Sequence, residues 1–146
     1  MFYNSCASEV QLKKKMKCPC HSGKSYQECC EPFHKRKAPP TALDLMRSRF
    51  AAYALNLPQY IIESTHPQCP EHHSDVFAWA ESIAKFSKST QFHNLTIINT
   101  AEQGPTATVT FKAHLKQDGH DASFTEKSFF EKVNGQWLYK SGQISH

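Results

Sequence analysis

A chain of 146 residues leaves room for one compact core and a small appendage, since a typical domain takes about 150. Apolar residues make up 39% and charged residues 21%, and no stretch approaches the roughly 18 consecutive apolar residues a bilayer-spanning helix needs, so a large multidomain machine and a helical membrane protein are both excluded. The formal net charge of +4 is unevenly spread: residues 1–40 carry eight Lys/Arg against three acids, a net of +5, whereas residues 41–146 carry nine against ten, a net of −1.

The first fifteen residues place Lys13, Lys14 and Lys15 after Met1, Phe2 and Tyr3 rather than before an apolar stretch, the reverse of a secretory signal. A cytoplasmic location is expected. Lys13 to Lys17 and Lys35 to Lys37 serve either as solubilising flanks or as attraction for an anionic partner, and the modest net charge does not choose between them.

Four of the six cysteines, Cys18, Cys20, Cys29 and Cys30, fall within thirteen residues, while Cys6 and Cys69 stand alone. In a reducing compartment such a group reads as a metal nest before it reads as disulfides, and zinc is the expected ion. Zinc–sulfur bonds of about 2.3 Å require the chain to fold back between the two pairs. Ser22-Gly23-Lys24 supplies the turn, with a glycine available for positive φ. Ser25-x-x-Glu28 has the form of a capping box, which predicts a short helix carrying Cys29 and Cys30 toward Cys18 and Cys20. So small an element has almost no core, so the metal has to supply its folding energy. Four thiolates and a divalent ion leave about −2, which the neighbouring lysines partly neutralise. His21 and His34 lie close enough in sequence to take one corner, but the four cysteines are the preferred set.

The run Cys18-Pro19-Cys20-His21-Ser22-Gly23-Lys24-Ser25-Tyr26-Gln27-Glu28-Cys29-Cys30 resembles the SEC-C zinc motif of the translocase motor SecA and of many small bacterial proteins. It departs from that signature at His21, where glycine is usual. By this resemblance Cys18, Cys20, Cys29 and Cys30 are the zinc ligands, the motif covers residues 16–38, and a protein partner is expected to dock on it.

Lys35-Arg36-Lys37-Ala38-Pro39-Pro40 reads as a boundary, and a second, separately folding unit covers 41–146. Thr41 caps a helix whose apolar stripe is Leu43, Met46, Phe50, Tyr53, Ala54 and Leu57. Pro58 ends it or opens a short second helix through Glu63, closed by His66-Pro67. A third helix is predicted over Asp75 to Ser87, with Val76, Trp79, Ala80, Ile83 and Phe86 on one face. Beyond Gln91 the period becomes two. Residues 92–100 form one strand, and Val109, Phe111, Ala113 and Leu115 form the dry face of the next. Segments 123–133 and 136–141 follow the turn signals Asp118-Gly119 and Asn134-Gly135. Helices first and then a four-stranded antiparallel meander make an α+β cone, with an interior that can stay open as a pocket.

Leu45-Met46-Arg47-Ser48-Arg49-Phe50-x-x-Tyr53, His66-Pro67 and Glu126-x-Ser128-x-Phe130…Gly135-x-Trp137-x-Tyr139-x-x-Gly142 are similar to the YchJ-like proteins, which couple a SEC-C motif to a nuclear-transport-factor-2-like domain. The similarity runs from about Cys18 to Gly142 and lacks the second, C-terminal SEC-C motif of some members. Residues 1–15 are then an upstream extension or a disordered arm, with Met16 an alternative start. The resemblance implies a cystatin-like α+β roll, whose relatives use the cone as an enzyme pocket, a binding site or a dimerisation surface.

The candidates for chemistry are Glu126, His66 and Tyr53, with Arg47 or Arg49 to hold an anion. A carboxylate among Phe124, Phe130 and Trp137 would have its pKa raised by desolvation, as a base working near neutrality requires. The plainer expectations are that Glu126 pairs with Arg47 or Arg49 across the helix–sheet interface and that His66 is a turn histidine. Three functions follow: a zinc-stabilised interaction module whose cone takes a small ligand or pairs two copies, through a sheet face bearing Thr108, Thr110 and His114; a hydrolase- or isomerase-type pocket enzyme using Glu126 with His66 or Tyr53; and a weakly specific nucleic-acid or ribosome binder using the lysines with Tyr26 and Phe33.

Overall fold

A computed structural model describes residues 16–145, so the extension expected at 1–15, with Lys13 to Lys15 and Cys6, lies outside the described residues. The elements are α1 (Glu31–His34), α2 (Ala42–Ala54), α3 (Pro58–Glu63), α4 (Val76–Ser89), β1 (Gln91–Gln103), β2 (Thr106–Gln117), β3 (His120–Asp121), β4 (Phe124–Val133) and β5 (Gln136–Ser145). The caps are those the sequence offers. Thr41 Oγ1 accepts from the Asp44 amide at the start of α2, and the Asp75 carboxylate accepts from the Ala78 amide at the start of α4. Pro58 opens α3 within its first turn, where a missing N–H loses nothing.

All the strand pairs are antiparallel, in the order β1-β2-β4-β5, with the two-residue β3 added on β2. Both predicted glycine turns are tight hairpins: Asp118 and Gly119 have φ of 50° and 78°, Asn134 and Gly135 of 50° and 79°, the left-handed pair that matches strand twist. Ala107, Val109, Phe111, Ala113 and Leu115 along β2 are buried, as the alternation predicts, under Leu45, Met46 and Phe50 of α2. Two bulges in β1 and one in β5 bend the sheet around the helices. No helix among the described residues is long and apolar enough to cross a membrane.

The β5 bulge positions the cavity. Phe129 pairs with Ser141 but Phe130 pairs with Tyr139, so Lys140 is the extra residue. The residues of β5 opposite Glu126, Ser128 and Phe130 therefore become Ile144, Gly142 and Tyr139, all on the inner face. Glu126, Ser128 and Phe130 are buried, so the face they share is the inner one and its interior is polar.

Candidate functional site

The cysteine loop is a small hairpin. Lys17 bridges Ser25, the Cys18 amide donates to the Lys24 carbonyl over 2.9 Å, and the Tyr26 amide donates to the Met16 carbonyl over 2.8 Å. Gly23 turns it at φ 90°. Only part of the expected capping box forms: the Glu28 amide donates to Ser25 Oγ over 3.3 Å, and Cys29 and Cys30 occupy successive turns. Helix α1 starts after both cysteines, at Glu31, because Pro32 suits a first turn and not an interior one.

The four sulfurs all lie within 4.8 Å of one another. Bonds of about 2.3 Å to a tetrahedral ion set sulfur–sulfur edges of about 3.8 Å. Cys20 and Cys29 are 3.5 Å apart and Cys29 and Cys30 3.8 Å apart, so the donor set fits one divalent ion. Its electrostatics also call for a cation. With protons alone, Cys20 is held far below the usual thiol range by hydrogen bonds from Cys18 and Cys30. The same hydrogen bonds push Cys18 up to about 12 and Cys30 far higher. One thiolate is then solvated by its neighbours' S–H groups, and a positive ion in place of the protons would stabilise the thiolates of Cys18 and Cys30 as well. Neither histidine joins the group. His21 is exposed at φ 61°, the conformation that favours the glycine usual at that position. The two ring nitrogens of His34 are engaged elsewhere.

Those engagements fasten the loop to α2. Tyr26 Oη donates to His34 Nδ1 over 2.7 Å, and His34 Nε2–H donates to the Ser48 carbonyl over 2.8 Å. Burial holds His34 below its ordinary pKa, consistent with that neutral tautomer. Arg47 Nη1 donates to the Cys20 carbonyl over 3.1 Å, and Ala51 and Leu55 pack on Cys18, Cys20, Tyr26 and Cys30. The loop is therefore built onto the roll rather than set apart from it.

The opposite face of α2, through Met46, Arg49, Phe50 and Tyr53, lines a cavity of about 650 Å³ that is also walled by α4 and the inner sheet face and opens to solvent. Its walls are largely aromatic. Glu126 stands at the sheet side, where Ser128 Oγ and, over 3.2 Å, Tyr139 Oη both donate to Oε2. Desolvation raises the Glu126 pKa against those two hydrogen bonds, which lower it. Gly142 leaves the room: a Cβ there would lie 2.6 Å from the Glu126 carboxyl and from Tyr139 Oη.

Glu126 and Tyr53 thus share the cavity, but His66 does not. His66 Nδ1 accepts from the Gln68 amide, and Nε2–H donates to Glu131 Oε1 over 2.8 Å, beside Lys140. The expected Glu126–arginine pair does not form either: Arg47 is on the face toward the cysteine loop, and Arg49, on the cavity face, spends its guanidinium on other oxygens. Arg49 Nη1 donates to the Ile61 carbonyl, Ser64 Oγ and Thr65 Oγ1, and its guanidinium lies 4.6 Å from the Tyr139 ring centroid. Trp137 is buried outside the cavity, under Lys132 at 5.2 Å. Thr108, Thr110 and His114 are half-buried, with His114 bonded to Thr96.

Residues 41–142 match the family described as YchJ, middle NTF2-like domain. The chain belongs to the YchJ-like family. A UPF0225 protein of Corynebacterium glutamicum is 36% identical over 132 residues, which cover 88% of this chain and 97% of that protein. Another from Geobacter sulfurreducens is 36% identical over 129 residues, 86% of this chain and 77% of that protein. Among solved structures, a SEC-C motif protein from Rhodopseudomonas palustris superposes with a TM-score of 0.76 at 31% identity, covering 90% of this chain and 100% of that one. A SEC-C motif protein from Psychrobacter arcticus gives 0.72 at 26% identity, covering 92% and 86%. In this YchJ-like chain the SEC-C cysteines and the NTF2-like cone share one helix as their common wall. Sequence reasoning missed the Tyr26–His34–Ser48 connection and the roles of Tyr139 and Gly142 around Glu126, for which the only signal was the spacing Tyr139-x-x-Gly142.

Proposed function

We propose that this protein is a zinc-stapled binding module for a small, largely apolar molecule. Zinc held by Cys18, Cys20, Cys29 and Cys30 supplies a structural cross-link, and the cone holds the ligand. The observation that carries this reading is the division of α2: Arg47, Ser48, Ala51 and Leu55 hold the cysteine loop, while Met46, Arg49, Phe50 and Tyr53 line the cavity. Residues three and four apart share a helix face, so one helix presents both stripes. A cavity of about 650 Å³ falls within the range of roughly 300–1,000 Å³ typical of small-molecule sites.

The test is a fluorescence titration with N-phenyl-1-naphthylamine, an uncharged apolar probe, before and after chelation with EDTA. The expected result is saturable one-to-one binding that weakens at least about tenfold when the metal is removed. Unchanged affinity after verified metal loss would contradict the coupling, and the absence of saturable binding would contradict the ligand site.

The exposed Lys17, Lys24, Lys35 and Lys37 around the cysteine loop favour a second role for that end, docking of an acidic protein surface. Retardation of a single-stranded oligonucleotide at low salt, abolished in Lys24→Glu, would give these lysines a nucleic-acid partner instead. An enzymatic use of the cavity would rest on Glu126 and Tyr53, since His66 is turned toward Glu131.

A further inference from the structure

We propose that the cavity takes a protonated amine on an apolar frame, with an ammonium N–H donated to Glu126 Oε1; this rests on the small-ligand reading above. Glu126 is only 8% exposed, and it enters no ion pair among the described residues. Both of its donors, Ser128 Oγ and Tyr139 Oη, reach Oε2, and each hydrogen bond there favours the ionised carboxylate. Oε1 is left without a hydrogen bond on a side chain that lines the cavity, and it is not sealed off by protein atoms. A buried carboxylate is costly until it is paired, and its unpaired edge is the one open to a ligand.

The wall supplies no counter-charge in contact with it. Arg49 is committed elsewhere: Nη1 donates to the Ile61 carbonyl, Ser64 Oγ and Thr65 Oγ1, and the guanidinium lies 4.6 Å from the Tyr139 ring centroid. Its charge reaches Glu126 across the Tyr139 ring, whose hydroxyl bonds the carboxylate, and not by direct pairing. With histidine counted neutral, the lining sets Arg49 against Glu71 and Glu126, one positive charge against two negative, a net of −1. An anion would add to that excess, and a neutral molecule would leave it standing. One ammonium group cancels it and brings the charge-assisted donor that Oε1 lacks. Desolvation, which raises the Glu126 pKa, acts in the same sense: the buried carboxyl gains by acquiring a positive charge, from a proton or from a ligand.

The walls suit both parts of such a ligand. Phe50, Phe92 and Phe86 form an edge-to-face chain along the lining, with successive centroids 5.5 and 6.0 Å apart. Aromatic rings take an apolar frame by burial and attract a cation to their faces, which alkyl walls do not. Glu71, exposed at the mouth, adds attraction for an incoming positive charge.

The experiment uses the full metal-loaded chain and three ligands on one frame: 2-naphthylmethylammonium, 2-ethylnaphthalene, which has the same shape without the charge, and 2-naphthoate. Each displaces N-phenyl-1-naphthylamine at neutral pH. The ammonium is expected to bind about tenfold or more tighter than the hydrocarbon, as a charge-assisted hydrogen bond allows, and the naphthoate weakest of the three. Glu126→Gln keeps an acceptor for Ser128 and Tyr139 and removes the charge. It brings the ammonium to within about threefold of the hydrocarbon and leaves the hydrocarbon unchanged. Glu71→Gln, at an exposed position, weakens the ammonium about fivefold at most. The comparison of the three ligands on the parent chain needs no variant to fold. An ammonium no tighter than the hydrocarbon, tightest binding by the naphthoate, or a preference for the ammonium that survives Glu126→Gln overturns the proposal and leaves the small-ligand reading standing. So does a larger loss in Glu71→Gln than in Glu126→Gln, which would put the recognition of charge at the mouth. Failure of the probe itself to bind overturns both.

Discussion

His34 and Ser48 are 14 residues apart, and the His34 Nε2–H donates to the Ser48 main-chain carbonyl over 2.8 Å, tying the cysteine loop to the middle of α2. That carbonyl belongs to a helix whose far side is a cavity wall, so the loop and the wall share one element.

His34→Ala removes this bond and the one from Tyr26. Each is worth about 1 kcal/mol net, and the Tyr26 hydroxyl, on a largely buried side chain, is left without its acceptor. A loss of roughly 2 kcal/mol in urea unfolding is expected with metal stoichiometry unchanged. Loss of the metal along with stability would make His34 a ligand and would contradict the four-cysteine site.

His21→Gly should stabilise. His21 holds φ 61°, where an L side chain is strained and glycine is not. Relief of about 1 kcal/mol is offset in part by the added freedom of glycine in the unfolded chain and by the lost edge contact with Phe50. A melting temperature at or slightly above the parent's is the expected outcome, and a clear fall would show that the ring carries more than its backbone costs.

Glu126 gives the pH dependence. Its folded pKa is raised above the ordinary 4.5 by desolvation. The folded state therefore binds the proton more tightly than the unfolded state, and this contribution is fully present below 4.5 and lost as pH rises through the folded value. Glu126→Gln, which cannot ionise, should melt close to the parent at pH 4 and above it at pH 8. A difference independent of pH would mean that the carboxyl is solvated in the folded state.

Gly142→Ala forces a Cβ to 2.6 Å from the Glu126 carboxyl and Tyr139 Oη, both held by hydrogen bonds to each other. Overpacking of this kind costs about 1–3 kcal/mol, and it pushes the carboxyl into the cavity. Weaker binding of N-phenyl-1-naphthylamine together with a lower melting temperature is expected, and unchanged binding would place the ligand away from Glu126.

Much of the fold was legible because it is written locally. Thr41 and Asp75 announce α2 and α4, the Asp118-Gly119 and Asn134-Gly135 pairs announce hairpins, and alternation along β2 gives its buried face. The cysteine cluster was legible for the same reason. The partners of Glu126, His66 and Arg49 were not. A one-residue bulge at Lys140 decides that Tyr139 and Gly142 face Glu126 together, and nothing in residue type marks a bulge. Arg49 finds Ser64 and Thr65, and His66 finds Glu131, through the closing of α3 onto β5, where the His66 amide donates to the Tyr139 carbonyl. Such contacts join segments far apart in sequence and leave no period to read. The packing of Ala51 and Leu55 on the cysteine loop likewise uses small and apolar positions that a helical stripe assigns to any neighbour.

The most direct test of the account is elemental analysis of freshly purified, fully reduced protein beside its Cys29→Ser variant. One zinc per chain in the parent, with marked loss in Cys29→Ser and a lower melting temperature on chelation, is the predicted result. A parent protein that carries no metal and keeps its melting temperature in EDTA would contradict it.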